Sequence, residues 1–301
     1  MKTTLYDVII IGGSYAGLQA AMTLGRSLRK VLVIDNGKPC NRQTPHSHNF
    51  LTDDGDEPAA IAAQAKAQIA AYNTVNFLED TVTSAVETSG KFEITTIFGH
   101  KYEARKLLFA TGISDIMPDV KGFAECWGIT VIHCPYCHGY EARGQATGVF
   151  GNGDGGYEYV KMINHWAGEV TLFTNGVSTL TIEQTDKLKA NNITIIETLV
   201  TEVVHQNGIM SSVILADGSE RFLTALYAHA PFKQHSELPA LLGCEFTESG
   251  HIKTNGFGVT NINGVYAAGD NCDPLRSVAN AVRGGMAAGA FINKELINED
   301  F

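Results

Sequence analysis

Apolar residues fall along this chain in two recurring patterns. One is a short unbroken run closed by glycines. Val8–Ile11, just before Gly12 and Gly13, is the first such run, and it suits a central parallel strand buried on both faces. The other is a helical spacing, with Leu18, Ala21, Met22 and Leu24 on one side of a helix predicted from about Ala16 to Leu28. Val31–Ile34 is then a second strand, ending in Asp35. Across DVIIIGGSYAGLQAAMTLGRSLRKVLVID (Asp7–Asp35) the pattern therefore reads strand, tight turn, helix, strand. The order returns in ATGVFGNGDGGYEYVKMINHWAGEVTLFTNG (Ala146–Gly176), with strands at Thr147–Phe150 and Val170–Phe173 and a helix reaching about Trp166 between them. Near the end, Val265–Ala268 is a strand and a long helix starts at about Ser277. That helix holds Gly284, Gly285, Ala287, Ala288, Gly289 and Ala290, so it can pack very close to a neighbour, and its first amides suit an anionic group.

The two glycine turns carry the chemistry of dinucleotide binding. A pyrophosphate sits on free amides at a helix N-terminus, and an acid ending the next strand accepts ribose hydroxyls. In the first copy Gly12, Gly13 and Gly17 surround Ser14, a G-x-S-x-x-G pattern, and Asp35 is the acid. In the second, Gly151, Gly153 and Gly156 fill all three glycine positions. Thr174-Asn175-Gly176 follows its second strand, with no acid for a 2′-hydroxyl and no arginine for a 2′-phosphate. Either this turn takes a pyridine nucleotide, or the fold has kept its turn and lost the ligand. The expected class is α/β, with two Rossmann-like, three-layer nucleotide-binding domains.

Bulk properties fit that picture. The chain has 301 residues, 44% hydrophobic, which is ample for two cores. Its net charge of −10 disfavours a nucleic-acid partner, whose binders usually carry a basic footprint. The opening MKTTLYDVIIIGG has an apolar run far too short to span a bilayer and no cleavage site, and no later segment is apolar for long enough. The expected location is the cytoplasm, with no membrane. There the six cysteines (40, 126, 134, 137, 244 and 272) should not form a structural framework. Only Cys134 and Cys137 are close in sequence; the other four are expected to be small buried apolar residues.

HCPYCHGYE (His133–Glu141) matches three patterns at once. Cys-x-x-Cys-His is a haem attachment site, but that attachment normally belongs to exported proteins. His133, Cys134, Cys137 and His138 are also potential zinc ligands, with His46 and His48 available as a second pair. Adjacent residues, however, rarely converge on one tetrahedral ion. Beside alternating strands and helices, Cys-x-x-Cys reads as a redox-active disulfide, and no metal is expected.

Taken in order, GGSYAG…VLVID, LLFATG (Leu107–Gly112), HCPYCHG, GNGDGG and GVYAAGD resemble the low-molecular-weight thioredoxin reductase family of flavoproteins. The likeness covers nearly the whole chain. It is nearest to the branch with C-P-[FY]-C-H-G, which includes the dithiol oxidases of the gliotoxin and holomycin pathways. The resemblance implies a discontinuous FAD domain at 1–114 and 245–301, with a domain at 115–244 inserted into it and carrying the cysteine pair. It implies FAD contacts from Gly12, Gly13, Ser14, Ala16, Gly17, Asp35 and Asn36, and from Ala110, Thr111 and Gly112. Further contacts are implied from Gly269, Asp270, Ser277 and Val278, and from Arg42, His48 and Asn49 in the polar loop after Asp35. Cys137 would exchange electrons with the flavin and Cys134 with the partner's sulfur. Thioredoxin reductases usually place Asp after the second cysteine; here His138 stands there, and imidazole can shuttle a proton near neutral pH. NADPH-using members carry His-Arg-Arg-x-x-x-Arg where this chain has Thr174-Asn175-Gly176-Val177-Ser178-Thr179. The favoured direction is therefore oxidation of a small dithiol with oxygen as acceptor. The alternative is an NAD(P)H-dependent reductase acting on a thioredoxin-like protein disulfide. A homodimer is implied in either case.

Overall fold

The computed structural model describes residues 4–301, and the chain divides into two units. The first is built from the chain up to Arg42, Phe50–Ser114 and Phe232–Phe301. Its central strand, Leu5–Ile11, pairs in parallel with Val31–Asp35 on one side and Lys101–Phe109 on the other. Val75–Glu79 extends the sheet beyond Val31–Asp35, and Val265–Ala267 pairs in parallel with Lys101–Phe109. An antiparallel hairpin, Val82–Thr88 with Lys91–Thr96, completes it. Side chains alternate across a strand, so Val8 and Ile10 face a core with Leu18, Leu24 and Leu296, while Ile9 and Ile11 face another with Phe109, Leu238 and Cys244.

Two helices, Tyr15–Arg26 and Val278–Asp300, lie together on one face. Small residues set that approach. A Cβ on Gly285 would stand 2.1 Å from the Ala16 carbonyl oxygen, and one on Gly289 would stand 3.0 Å from the Cβ of Thr23. Charge holds the far end of the C-terminal helix. Lys106, nearly buried, meets Glu299 at 2.5 Å and Glu295 at 3.4 Å, and Asp300 meets Arg29 at 2.6 Å and Arg105 at 2.7 Å.

The second unit holds Gln43–Asn49 and Asp115–Pro231. Its parallel sheet runs Thr194–Ile196, Glu169–Phe173, Ala146–Phe150, Ala225–Ala228, Val131–Ile132. Beside it in sequence, Val200–Gln206, Ile209–Leu215 and Glu220–Phe222 make a three-stranded antiparallel sheet. Helix Gly153–Ile163 packs on the parallel sheet through Tyr159, Val160 and Ile163.

The expected return to the first domain at residue 245 falls too late. Residues 232–244 already belong to the first unit, because Phe232–Gln234 pairs with Ile113–Asp115 and because Leu238 and Cys244 are buried in its core. Residues 43–49 leave it and join the second. The first helix stops at Arg26 rather than Leu28, since Leu28 turns out of the helix at φ 61° and is exposed. The second ends at Ile163 rather than Trp166.

Candidate active site

In the first unit the glycine turn is closed by steric fit. Gly12 has φ +106°, and a Cβ there would meet the Ala110 carbonyl oxygen at 2.3 Å; a Cβ on Gly17 would meet the Gly12 oxygen at 1.9 Å. A Cβ on Gly13 would strike the Asp35 side chain at 2.9 Å, so bare backbone lies against the acid that ends the second strand. Ser14, at the helix N-cap, makes no side-chain capping bond, and the first turn carries no acidic residue. Its amides are thus available to an anion. Among the described residues, the Asp35 carboxylate accepts a long bond from the Gly37 amide through Oδ2 (3.3 Å), and Asn36 Oδ1 accepts from Lys38. The residues present fit a dinucleotide.

The other expected contacts divide between the units. Ala110 is buried and donates its amide to Ile11, Gly112 has φ 63°, and the Thr111 hydroxyl lies 3.4 Å from the Asn271 amide nitrogen. Asp270 stands 3.8 Å from Arg276 and 3.9 Å from Cys40 Sγ. Ser277 caps the C-terminal helix by accepting from the Asn280 amide, with Val278 its first residue. Arg42 is exposed and donates to the Pro39 carbonyl. His48 and Asn49 lie in the segment that joins the second unit. Asn271, fully buried and donating to the Phe109 carbonyl at 2.8 Å, is a residue that the sequence reading missed.

The cysteines differ in the same way. Cys126 and Cys244 are buried, and burial raises both thiols; Cys272 is pushed up to about 12 by burial and then by Asp273. Cys40 is exposed, contrary to expectation, with its Sγ 3.9 Å from Asp270 Oδ2.

In the second unit Cys134 and Cys137 form a disulfide, with Cα atoms 5.3 Å apart. Pro135–His138 is a single helical turn in which Cys134 is the N-cap and its carbonyl accepts from the amides of Cys137 and His138. Pro135 suits the first helical position because its missing amide would be unpaired there. Gly139 must follow, since a Cβ there would stand 2.4 Å from the Pro135 oxygen. Upstream, Tyr159 donates its hydroxyl to the His133 carbonyl at 3.0 Å, and the His133 ring stacks on Trp127.

His138 stands with His48 and Glu141. The two imidazoles are 6.0 Å apart edge to face, and His48 Nε2 is 3.7 Å from Glu141 Oε1. Burial, and next the electrostatic influence of His48, push the His138 imidazole down to about 4, against the opposing pull of Glu141. It is thus neutral across the physiological range and offers a lone pair. Of the zinc set considered from sequence, His48 and His138 are brought together, while Glu141 takes the place of the cysteines.

The second glycine turn bonds to its own protein. A Cβ on Gly156 would lie 2.7 Å from the Gly151 carbonyl carbon, so these glycines serve the close packing of helix on strand. Asn152 caps the helix, its Oδ1 accepting from the amides of Gly153 (2.8 Å) and Thr179 (2.9 Å), while its Nδ2 donates to the Val177 carbonyl. The Val177–Thr179 segment is thereby tied onto the helix start. Thr174 Oγ1 donates to the Gly176 carbonyl, and Asn175 Oδ1 accepts from Val200.

The profile of the pyridine nucleotide-disulphide oxidoreductases matches residues 6–285. The thioredoxin reductase tcpT of Claviceps purpurea is 34% identical, over 98% of this chain and 95% of that protein. The thioredoxin reductase sirT of Leptosphaeria maculans is 31% identical, over 99% and 96%. An oxidoreductase from Agrobacterium tumefaciens superposes with a TM-score of 0.92 and 36% identity, covering 98% of this chain and 99% of that one.

Proposed function

The chain belongs to the pyridine nucleotide-disulphide oxidoreductase family, as a thioredoxin reductase-like flavoprotein, and from that premise we propose that it oxidises small dithiols to disulfides and passes the electrons to oxygen. The observation that carries the direction is the second glycine turn. Asn152 takes up its first helical amide, that of Gly153, and holds the Thr179 segment beside it, and Thr174 and Asn175 stand where a nucleotide's phosphate would need arginines. The turn's glycines are needed for the fold whether or not a nucleotide binds.

Gly12, Gly13, Ser14, Ala16, Gly17 and Asp35 would hold FAD, with support from Asn36, Ala110, Thr111, Gly112, Gly269, Asp270, Ser277 and Val278. When bound, FAD supplies a two-electron acceptor that oxygen can regenerate. A substrate thiolate attacks Cys134, breaking the Cys134–Cys137 bond and leaving a thiolate on Cys137. The second substrate sulfur attacks the first, so the substrate leaves as a disulfide and Cys134 is released. Two protons leave the substrate thiols; with its imidazole held near 4, His138 relays one of them onward through its lone pair rather than keeping it. The pair returns to disulfide by giving up two electrons, so that dithiol and oxygen become disulfide and hydrogen peroxide. The protein would work in the cytoplasm as a homodimer; among its described residues no helix is long and apolar enough to cross a membrane.

Anaerobic mixing tests this reading. The oxidised yellow protein should bleach with a dithiol, and air should restore it with release of peroxide. Rapid stoichiometric bleaching by NADPH or NADH, with no response to dithiols, would restore the NAD(P)H-dependent thioredoxin reductase reading.

A further inference from the structure

His48, His138 and Glu141 present three donor groups, of which the thiol chemistry uses one. Their donor atoms all lie within 4.8 Å of one another, and His48 Nε2 and Glu141 Oε1 are 3.7 Å apart. Donors bound at about 2.0–2.2 Å to a tetrahedral ion stand about 3.4 Å from each other, so small side-chain rotations bring all three to one centre. They come from two segments distant in sequence. His48 lies within the loop between Asp35 and Pro58, and His138 and Glu141 are three residues apart around the tight Gly139 turn. The site has a dry side and a wet one: the His48 side chain is 21% exposed and that of Glu141 45%, which gives an ion a way in.

Two imidazoles and one carboxylate leave a fourth position open. That donor set suits Zn²⁺ and its transition-metal neighbours and disfavours Mg²⁺ and Ca²⁺, which take oxygen ligands. In the oxidised protein the Cys134–Cys137 disulfide offers no thiolate to compete. We propose that His48, His138 and Glu141 form a divalent transition-metal site, best fitted by Zn²⁺, whose occupation withdraws His138 from proton exchange and reversibly stops thiol turnover. The inhibitory half rests on the function proposed above; the binding half stands without it.

The test is calorimetric titration of the oxidised, flavin-loaded full-length protein with zinc chloride. One ion should bind per chain, magnesium chloride should give no heat, and His48→Ala and Glu141→Gln should each weaken zinc by about 100-fold or more. Glu141, at the exposed rim, guards the test against a misfolded His48 variant. Absence of zinc binding, or binding unchanged in both variants, overturns the site, the latter placing the metal elsewhere, such as on exposed Cys40. With a dithiol present and free zinc held constant by a buffer, peroxide release should fall in step with zinc occupancy in the wild type, resist the same free zinc in Glu141→Gln, and recover with EDTA. Equal inhibition of both would place the effect on the cysteines and overturn the inhibitory half. Turnover unaffected at full occupancy overturns the inhibitory half. Zinc bound in a protein that oxidises no dithiol would uphold the site and sink the proposed function; dithiol oxidation without zinc binding would do the reverse.

Discussion

At the scale of single residues, His138 decides the acid–base behaviour. A histidine in the unfolded chain titrates near 6.5, whereas burial and His48 bring this one to about 4 in the fold. In the oxidised enzyme it is therefore a neutral base throughout pH 5–8. The profile of kcat/KM, which reports the free enzyme, should show no limb from His138 in that window and an acid limb only near pH 4. His138→Ala should slow thiol-driven flavin reduction by ~10²–10⁴-fold with little change in flavin binding. Stopped-flow rates across pH check both, and normal rates in the variant would make His138 structural. The same shift has a sign for stability. As pH falls below 6.5, the unfolded chain takes up a proton that the fold refuses until about pH 4. Stability is full above 6.5 and declines below it, by about 2 kcal/mol at pH 5. Denaturant titrations at pH 7 and 5 should show that loss in the wild type and its absence in His138→Gln. The role of His138 was legible because it follows a cysteine pair. Its environment was not, since His48 and Glu141 approach it through the fold and no local spacing announces them.

At the scale of elements, the paired helices Tyr15–Arg26 and Val278–Asp300 link packing to cofactor binding. Both begin beside the residues expected to hold FAD, and their separation is set by glycines. Gly285→Ala would drive a methyl to within 2.1 Å of the Ala16 oxygen, whereas Gly284→Ala meets nothing closer than 3.5 Å. The first should cost about 1–3 kcal/mol and loosen flavin retention. The second should be neutral or stabilising by up to about 1 kcal/mol, as alanine replaces glycine inside a helix. Thermal unfolding and flavin absorbance per chain test the pair, and equal behaviour of the two variants would mean that the contact with Ala16 does not set the helix spacing. Small residues crowded on one helix gave this packing away in sequence, as did the glycine turns, because both are local patterns. The return of the chain to the first unit at Phe232 was not visible. It depends on a two-stranded ribbon with Ile113–Asp115, and a three-residue strand leaves almost no periodic signal.

For the whole molecule, the comparison that matters is between its two nucleotide folds. One presents an uncapped helix start against a half-exposed acid; in the other, Asn152 takes up the first helical amide and holds the Thr179 segment beside it. The sequence showed the missing arginines but offered the intact Gly151–Gly156 turn as a reason to doubt their meaning. Gly156 packs against Gly151 too closely for any side chain, so a fold that lost its ligand would still need both. Two absent charge-assisted bonds, each worth about 1.5–3 kcal/mol, should weaken NADPH by ~10²–10⁴-fold relative to a family member that makes them. NADH lacks the 2′-phosphate but gains nothing here, because no acid ends Glu169–Phe173 to take its 2′-hydroxyl; Thr174 and Asn175 bond to their own backbone instead. Calorimetric titration of the oxidised protein with each nucleotide measures this directly. Both should bind no more tightly than the millimolar range, a few kcal/mol short of what a micromolar reductant needs. Asn152→Gly, which frees the Gly153 amide, should improve both slightly and equally, because it restores a phosphate-facing donor without restoring charge. Micromolar binding of either nucleotide to the unaltered protein would show that the Asn152–Thr179 closure opens at little cost, and the oxidase reading would lose its main support.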